Sequence, residues 1–343
     1  MAVRNFSWDD LPALVDFVAP ARAGGAGHAG SSSATSQELR RRVFQETLAQ
    51  PGLDLHENCF LFDADGQLQG FCRLGPELAI GRVVLELEVR EANGDFANQV
   101  AQQLVRQAVA RARHLGARVV HSCLPKESGR GRLLEEEGFT PSRVYWDMLR
   151  KITSPLTGVL AQSAYGAAPP PGTGMSGTTG DLADRPVAPI SLPVGYRIRR
   201  FQPGDAQALT DAQNTAFGGS WGFCPNTVEQ IQHRTSMSNT KHEGILFLCH
   251  GEQIAGYCWT CVAPANGETN GIICMMGVVP EYRGRNLSQP LLLAGMQYLW
   301  SIGVAGVGLQ VDRSNTPAIR LYASAGFQKV AELQWFQLRL RPS

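Results

Sequence analysis

The chain repeats itself. VRNFSWDDLPALVD, starting at Val3, and IRRFQPGDAQALTD, starting at Ile198, align without gaps at Arg4/Arg199, Phe6/Phe201, Asp10/Asp205, Ala13/Ala208, Leu14/Leu209 and Asp16/Asp211. Each reads as a short strand, a capped turn and a helix start. Further on, a helix ending near Leu115-Gly116 leads into ARVVHSCL, and one ending near Ile302-Gly303 leads into VAGVGLQV. LLEEEGF (Leu133–Phe139) then answers LYASAGF (Leu321–Phe327) in the same order and at nearly the same spacing. An internal duplication accounts for this, and it makes two related units the expected plan.

A break in composition separates the copies. From about Thr153 to Pro193 the chain runs through AAPPPGTGMSGTTG, with little to bury, and reads as an extended, flexible connector. The expected division is therefore 1–150, a linker over 151–193, and 194–343. Each part is long enough to bury its own core. A second Gly/Ser-rich patch, Ala23–Thr35, reads as a loop within the first unit.

In the second copy, strands are expected near Arg197–Phe201, Ile245–His250, Gln253–Ala263, Gly271–Val278, Gly306–Val311 and Phe327–Leu340, with helices at Leu287–Ile302 and Thr316–Ala325. Leu292, Met296 and Leu299 give the first of these helices an apolar face at helical spacing. The expected class is α/β (α+β), each unit having one central sheet flanked by helices.

The 31 basic and 30 acidic residues leave a formal charge of +1, which gives no footprint for nucleic acid or an anionic membrane. MAVRNFSWDD has no apolar core of a secretory signal, and no run reaches the roughly 18 apolar residues of a membrane span. The eight cysteines are scattered, mostly in apolar runs, and read as buried thiols of a cytoplasmic protein. Cys258 and Cys261 form a CxxC within an expected strand, without the second pair or nearby histidines that zinc requires. No metal is expected.

Chemistry concentrates in CMMGVVPEYRGRNLSQPLLLAGMQYLW. A buried strand, Ile272–Val278, runs into Pro280, and Arg283-Gly284-Arg285-Asn286-Leu287-Ser288 turns directly into a helix. Pro290 fits only the first turn of that helix. The backbone N–H groups from Gly284 to Gln289, with the helix dipole, form an anion site, and Arg283 and Arg285 add positive charge. A pyrophosphate suits it. A surface turn with two solvated arginines is the plainer reading of the loop alone. Gly277 marks a bulge or a close backbone approach.

Val278, Pro280, Arg283 and Gly284 resemble the GNAT acyltransferase superfamily, in which V-x-P-x-x-R-G-x-G-x-G/A joins a strand to a helix. Asn286 and Ser288 stand at the last two glycines; Asn tolerates a left-handed backbone and Ser is small. Asn315, Ala318, Leu321, Tyr322, Gly326 and Phe327 match every position of the family's N-x-x-A-x-x-L-Y-x-x-x-G-F. The resemblance implies two tandem GNAT-like domains, each with a mixed, mostly antiparallel sheet, in a layout similar to that of mycothiol synthase-like proteins. It also implies acetyl-CoA as co-substrate and a primary amine of a small molecule or peptide as acceptor.

Residue roles follow from the same resemblance. Asn315 caps its helix and reaches the pantetheine arm. Tyr322 protonates the leaving thiolate; its plainer role is that of a packed helix tyrosine. Backbone groups of Met276, Gly277 and Val278 hold pantetheine and the thioester carbonyl. Family members carry a glutamate as base where this chain has Gln310, or on the strand before the loop, which has none. Glu243, His242, Glu268 and Asp312 are the candidates, each also an ordinary surface group.

Trp221 and Phe223, in AFGGSWGFCPNT, are the expected acceptor-side aromatics, with Tyr257 and Trp259 opposite and Glu243 as a further substrate contact. The first copy lacks the motifs: Glu91 replaces the proline, Glu127 the asparagine and Leu134 the tyrosine. It is expected to be structural, shaping the cleft or covering a sheet edge of the second copy. The expected activity is amine attack on the thioester in the second copy. The alternative is a non-catalytic acyl-CoA-binding protein, a monomer or homodimer in either case.

Overall fold

The computed structural model describes residues 2–21, 34–90, 94–151, 190–265 and 268–341. Glu91, nearly all of the expected linker and most of the Ala23–Thr35 patch lie outside them. In chain order the first copy contains β1 (Ala2–Asn5), α1 (Leu11–Ala21), α2 (Ala34–Leu48), α3 (Leu55–Asn58), β2 (Cys59–Ala64), β3 (Gln67–Glu77), β4 (Arg82–Val89), α4 (Gly94–His114), β5 (Val119–Pro125), α5 (Gly131–Glu136) and β6 (Thr140–Lys151). The second contains β7 (Tyr196–Arg200), α6 (Ala206–Phe217), α7 (Val228–Ser236), β8 (Ile245–His250), β9 (Gln253–Ala265), β10 (Glu268–Val278), α8 (Ser288–Ser301), β11 (Gly306–Asp312), α9 (Thr316–Ser324) and β12 (Gln328–Arg339).

The two copies share their local chemistry. Arg4 pairs with Asp10 at 2.7 Å, and Arg199 pairs with Asp205 at 2.6 Å, so the aligned residues tie each first strand to the following turn in the same way. Each copy has one parallel strand pair, β4 with β5 and β10 with β11; the other described pairings are antiparallel. The fold is a mixed α/β arrangement. No described helix is long and apolar enough to cross a membrane.

The strands form one twelve-stranded sheet, in the order β1-β2-β3-β4-β5-β12-β6-β11-β10-β9-β8-β7. Its centre departs from the expectation that each copy buries its own core. β12, from the second copy, lies between β5 and β6 of the first, and β6 in turn pairs along β11 from Gly306↔Lys151 to Asp312↔Tyr145. The last strands are exchanged. Phe336 and Leu340 are therefore buried with Leu104 and Leu134 of the first copy, and Met148 with Leu291 and Tyr322 of the second. The exchange also gives β11 a hydrogen-bonded neighbour where it would otherwise be a free edge.

The cysteines need a correction too. Cys261 and Cys274 are bonded to each other, joining β9 to β10. In register Cys261 faces Ile272, and the bulge between Ile273 and Met275 turns Cys274 toward it. Cys258, the other half of the CxxC, is a fully buried free thiol. Among the described residues no cluster of His, Cys, Asp and Glu could hold a metal.

Candidate active site

The site begins where β10 and β11 part. The two strands are paired only at Gly271↔Val307 and Ile272↔Gly308, although β10 runs on to Val278 and β11 to Asp312. Beyond Ile272 they leave a wedge, and β10 is held only on its other side, by β9, through Val278↔Gly256. Met276, Gly277 and Val278 thus border the wedge. A Cβ on Gly277 would lie 2.9 Å from Cβ of Ala216 and 3.0 Å from Cε2 of Phe217, so the absent side chain lets α6 lie directly on this end of β10.

At the mouth of the wedge a 3₁₀ turn, Pro280–Tyr282, precedes the loop into α8. Gly284 has φ +77° and Asn286 φ +57°. Asn286 thus takes the left-handed conformation the family's glycine would take, at the lower cost Asn pays among non-glycine residues. Leu287 follows in the right-handed region, and no side chain caps the helix. A left-handed residue followed by a right-handed one turns successive N–H groups to one side, and the helix dipole adds to them. No acidic residue lies in the first turn of α8. Pro290 is buried within that turn.

The two arginines of the loop hold its shape. Arg283 donates from Nε to the Val278 carbonyl at 3.1 Å and from Nη2 to the Ala216 carbonyl at 2.6 Å, fastening the loop to β10 and α6. Arg285 donates to the Tyr196 hydroxyl at 3.1 Å and the Glu281 carbonyl at 3.2 Å, and stacks 5.2 Å from the centre of the Tyr282 ring. Both guanidinium groups are thus engaged with the protein around the loop.

Across the wedge, Asn315 caps α9 by accepting from the Ala318 N–H at 3.2 Å. This fixes Oδ1 and leaves the amide nitrogen as the group available for a ligand. Two turns further along α9, Tyr322 is buried among residues of α8, its ring 6.0 Å from that of Phe327. Burial, with a small contribution from Cys258, pushes its phenol up to about 12, so it keeps its proton at neutral pH.

The opposite face of the sheet carries the second group of candidates. Leu309 and Val311 of β11 pack under α8 and α9, so the alternate residue Gln310 emerges on the other side, exposed. Gln310 lies directly opposite Asp147 of β6, and Asp312 opposite Tyr145. Trp221, in the loop between α6 and α7, covers this face: its ring is 5.1 Å from His121, 5.7 Å from Trp335 and 6.3 Å from Tyr145. The Arg143 guanidinium lies 5.5 Å from the same ring. Arg82 of β4 anchors the loop by donating to the Gly222 carbonyl. Trp221 therefore sits over strands drawn from both copies. Tyr257 and Trp259, expected opposite it, are instead buried in the core beneath α6 and α7.

The remaining base candidates are elsewhere. Asp312 is tied to Arg143 at 3.2 Å and to Ser314. Glu243 acts on Tyr298, in the last turns of α8 and so at the opposite end of that helix from the loop. His242 stacks on Phe201 at 4.9 Å, and Glu268 is exposed at the start of β10, far from its splayed end. The structure does not bring these last three to the wedge. Asp147 is the carboxylate that sequence reasoning missed. Only the strand exchange brings it beside Gln310, and nothing local in the sequence announces that pairing.

A cavity of about 340 Å³ opens on this same face, between α2 of the first copy and α7 of the second. It is walled by Thr47, His233, Arg234, Trp259 and the Cys261–Cys274 bond. Arg234 stacks 5.3 Å from the centre of the Trp259 ring, and burial lowers its pKa.

The equivalent place in the first copy is built differently, although β4 and β5 also run on past their last pair, to Val89 and Pro125. β4 and β5 stay paired over four residues, from Arg82↔Val119 to Leu85↔Ser122, and Ser122 donates to the Leu85 carbonyl at 3.0 Å. Asp95 stands in the first turn of α4, where it disfavours an anion. Leu134, in place of Tyr322, is fully buried. Glu86 and Glu88 are paired with Arg73 at 2.6 Å and Arg130 at 3.6 Å.

Residues 206–327 match the model of the acetyltransferase (GNAT) family. Mycothiol acetyltransferases of Thermobispora bispora and Thermomonospora curvata are 32% and 33% identical over 61% and 44% of this chain. These matches span 61% and 50% of the two relatives' own lengths. The mycothiol acetyltransferase of Stackebrandtia nassauensis is 29% identical over 89% of both chains. Among solved structures, a GCN5-related N-acetyltransferase from Sphaerobacter thermophilus covers 100% of this chain and 96% of its own, at 23% identity and a TM-score of 0.67. A tandem GNAT protein from the clavulanic acid biosynthesis pathway covers 100% and 99%, at 16% identity and 0.68. The loop from Gly284, the wedge and the Asn315–Phe327 segment all lie within the stretch that matches the acetyltransferase (GNAT) family model.

Proposed function

We propose that the second copy, residues 194–343, transfers an acetyl group from acetyl-CoA to a primary amine of a small molecule or peptide, and that 1–150 is a degenerate copy joined to it through 151–193. The chain is proposed to work in the cytoplasm, as a monomer or homodimer. The observation that carries the reading is the difference between the two wedges. One opens after two strand pairs, beside an uncapped helix start and a protonated tyrosine; the other opens only after four, beside Asp95 and with Leu134 where the tyrosine would be.

In this reading the N–H groups of Gly284 to Gln289 bind the pyrophosphate, and the Asn315 amide nitrogen binds the pantetheine arm. A backbone N–H on the splayed end of β10, among Met276, Gly277 and Val278, faces the thioester oxygen and favours the negative charge that develops there. Tyr322 donates its proton to the departing thiolate; a pKa near 12 keeps the phenol loaded until a strong base appears beside it. The acceptor lies on the opposite face, between Trp221 and the strands beneath it. The relatives named mycothiol acetyltransferase support acetyl transfer.

The test is acetyl-CoA-dependent release of CoA across a panel of primary amines, for wild type and Tyr322→Phe. Turnover by wild type with at least one amine, falling about 10²-fold or more in the variant while acetyl-CoA binding is kept, is the expected result. Binding without turnover by wild type on any amine would favour the non-catalytic alternative, to which Ser288 and Gln310 lend some support.

A further inference from the structure

We propose that Asp147, a residue of the first copy, accepts the proton from the acceptor amine at the active site of the second. The inference rests on the acetyltransfer reading above. It starts from a gap: the wedge needs a proton acceptor on the acceptor face, and the position on β11 that faces it holds Gln310, an amide.

The strand exchange fills that gap. β6 lies against β11 with Asp147 opposite Gln310, and directly opposed residues of an antiparallel pair project to the same face with Cβ atoms about 5 Å apart. The Gln310 amide is close enough to the Asp147 carboxylate to favour its charged form. Asp147 is half-buried, and burial raises its pKa while the Gln310 amide lowers it. The raised value makes this carboxylate a stronger base than a solvated one.

The groups around it are otherwise engaged. Asp312, two residues along β11, is paired with Arg143. Tyr145, two residues along β6, and Cys123, on β5, both have their pKa raised by burial. Ala331 is opposite Asp147 on β12. Among the described residues, Asp147 is thus the carboxylate at this point of the face that no cation holds.

The step balances. The protonated amine gives one proton to Asp147, its nitrogen bonds to the thioester carbonyl carbon, and the carbon–sulfur bond breaks. The sulfur takes the Tyr322 proton, and the second amine proton leaves with solvent as the amide forms. An active site assembled in this way accounts for a first copy without ligand residues of its own: it supplies β6, the strand that carries the base.

With an amine that wild type acetylates, Asp147→Asn should lower kcat/KM about 10²-fold or more without weakening acetyl-CoA binding or lowering the melting temperature. Adding Gln310→Glu to that variant restores a carboxylate to the same face one strand away, and should recover at least tenfold. A residue needed only for folding would not be rescued in this way. Gln310→Leu is the independent measurement. Loss of the amide raises the pKa of Asp147, so the acid limb of the kcat/KM profile should move to higher pH.

Asp147→Asn with kcat/KM within threefold of wild type overturns the proposal. So does an unmoved acid limb in Gln310→Leu, which decides the matter should Asp147→Asn fail to fold. Wild type inactive with every amine overturns the acetyltransfer reading itself and this proposal with it, whereas active wild type with indifferent variants overturns the proposal alone.

Discussion

Three residues carry most of the argument at the smallest scale. Asn286 holds φ +57° at the centre of the anion loop. Alanine there costs about 1 kcal/mol for the left-handed backbone, or about fivefold in Kd for acetyl-CoA by titration calorimetry; Asn286→Gly should bind at least as well as wild type. Gly277 is fixed by its neighbours. A valine must push Ala216 and Phe217 aside, at about 1–3 kcal/mol, and Gly277→Val should lower the melting temperature and turnover together. His121, beneath Trp221, is held at about 4 by burial, and secondarily by the Arg82 charge. The folded-state pKa lies below the ordinary 6.5, so the unfolded chain takes up the proton first as pH falls. The stability this site contributes is complete above pH 6.5 and is lost between 6.5 and 4. The drop in melting temperature between pH 7 and pH 5 should therefore be smaller in His121→Gln than in wild type.

At the scale of elements, much was legible in the sequence. Ile245–His250 is a strand at the expected residues, α8 and α9 end within a residue of expectation, and Pro290 occupies the first turn of α8. Such features are local: a proline, a capping asparagine or an apolar run acts over one or two turns, and a motif compresses them into adjacent positions. Tyr322 and Asn315 were readable for the same reason. The loop arginines were only half readable. Their charge is visible in the sequence, but its use, tying Arg283 to the Val278 and Ala216 carbonyls, depends on where α6 lies. The Cys261–Cys274 bond was hidden by a single bulge, which shifts the register of β10 by one residue. Asp147 was hidden by the pairing of strands far apart in the chain, which no local pattern encodes.

For the whole molecule, the exchanged strands make the two copies one folding unit. Residues 190–343 without the first copy leave β11 lacking β6 and set β12 free, exposing Trp335, Phe336 and a bare strand edge. This fragment should be insoluble or associate through its edges when expressed alone, whereas co-expression with residues 1–151 should give a soluble one-to-one complex. A fragment monomeric and stable by light scattering would show that the exchange is dispensable. In the proposed reading one centre serves both copies: the second holds the wedge, the loop and the tyrosine, and the first lends β6 with Asp147. The central claim is that one wedge, and only one, takes acetyl-CoA. A crystal structure of the full chain soaked with CoA tests it most directly. The account predicts one CoA per chain, its pyrophosphate on the N–H groups of Gly284 to Gln289 and its sulfur between β10 and β11 near Tyr322. CoA bound instead between β4 and β5 at the start of α4, or equally in both copies, would contradict it.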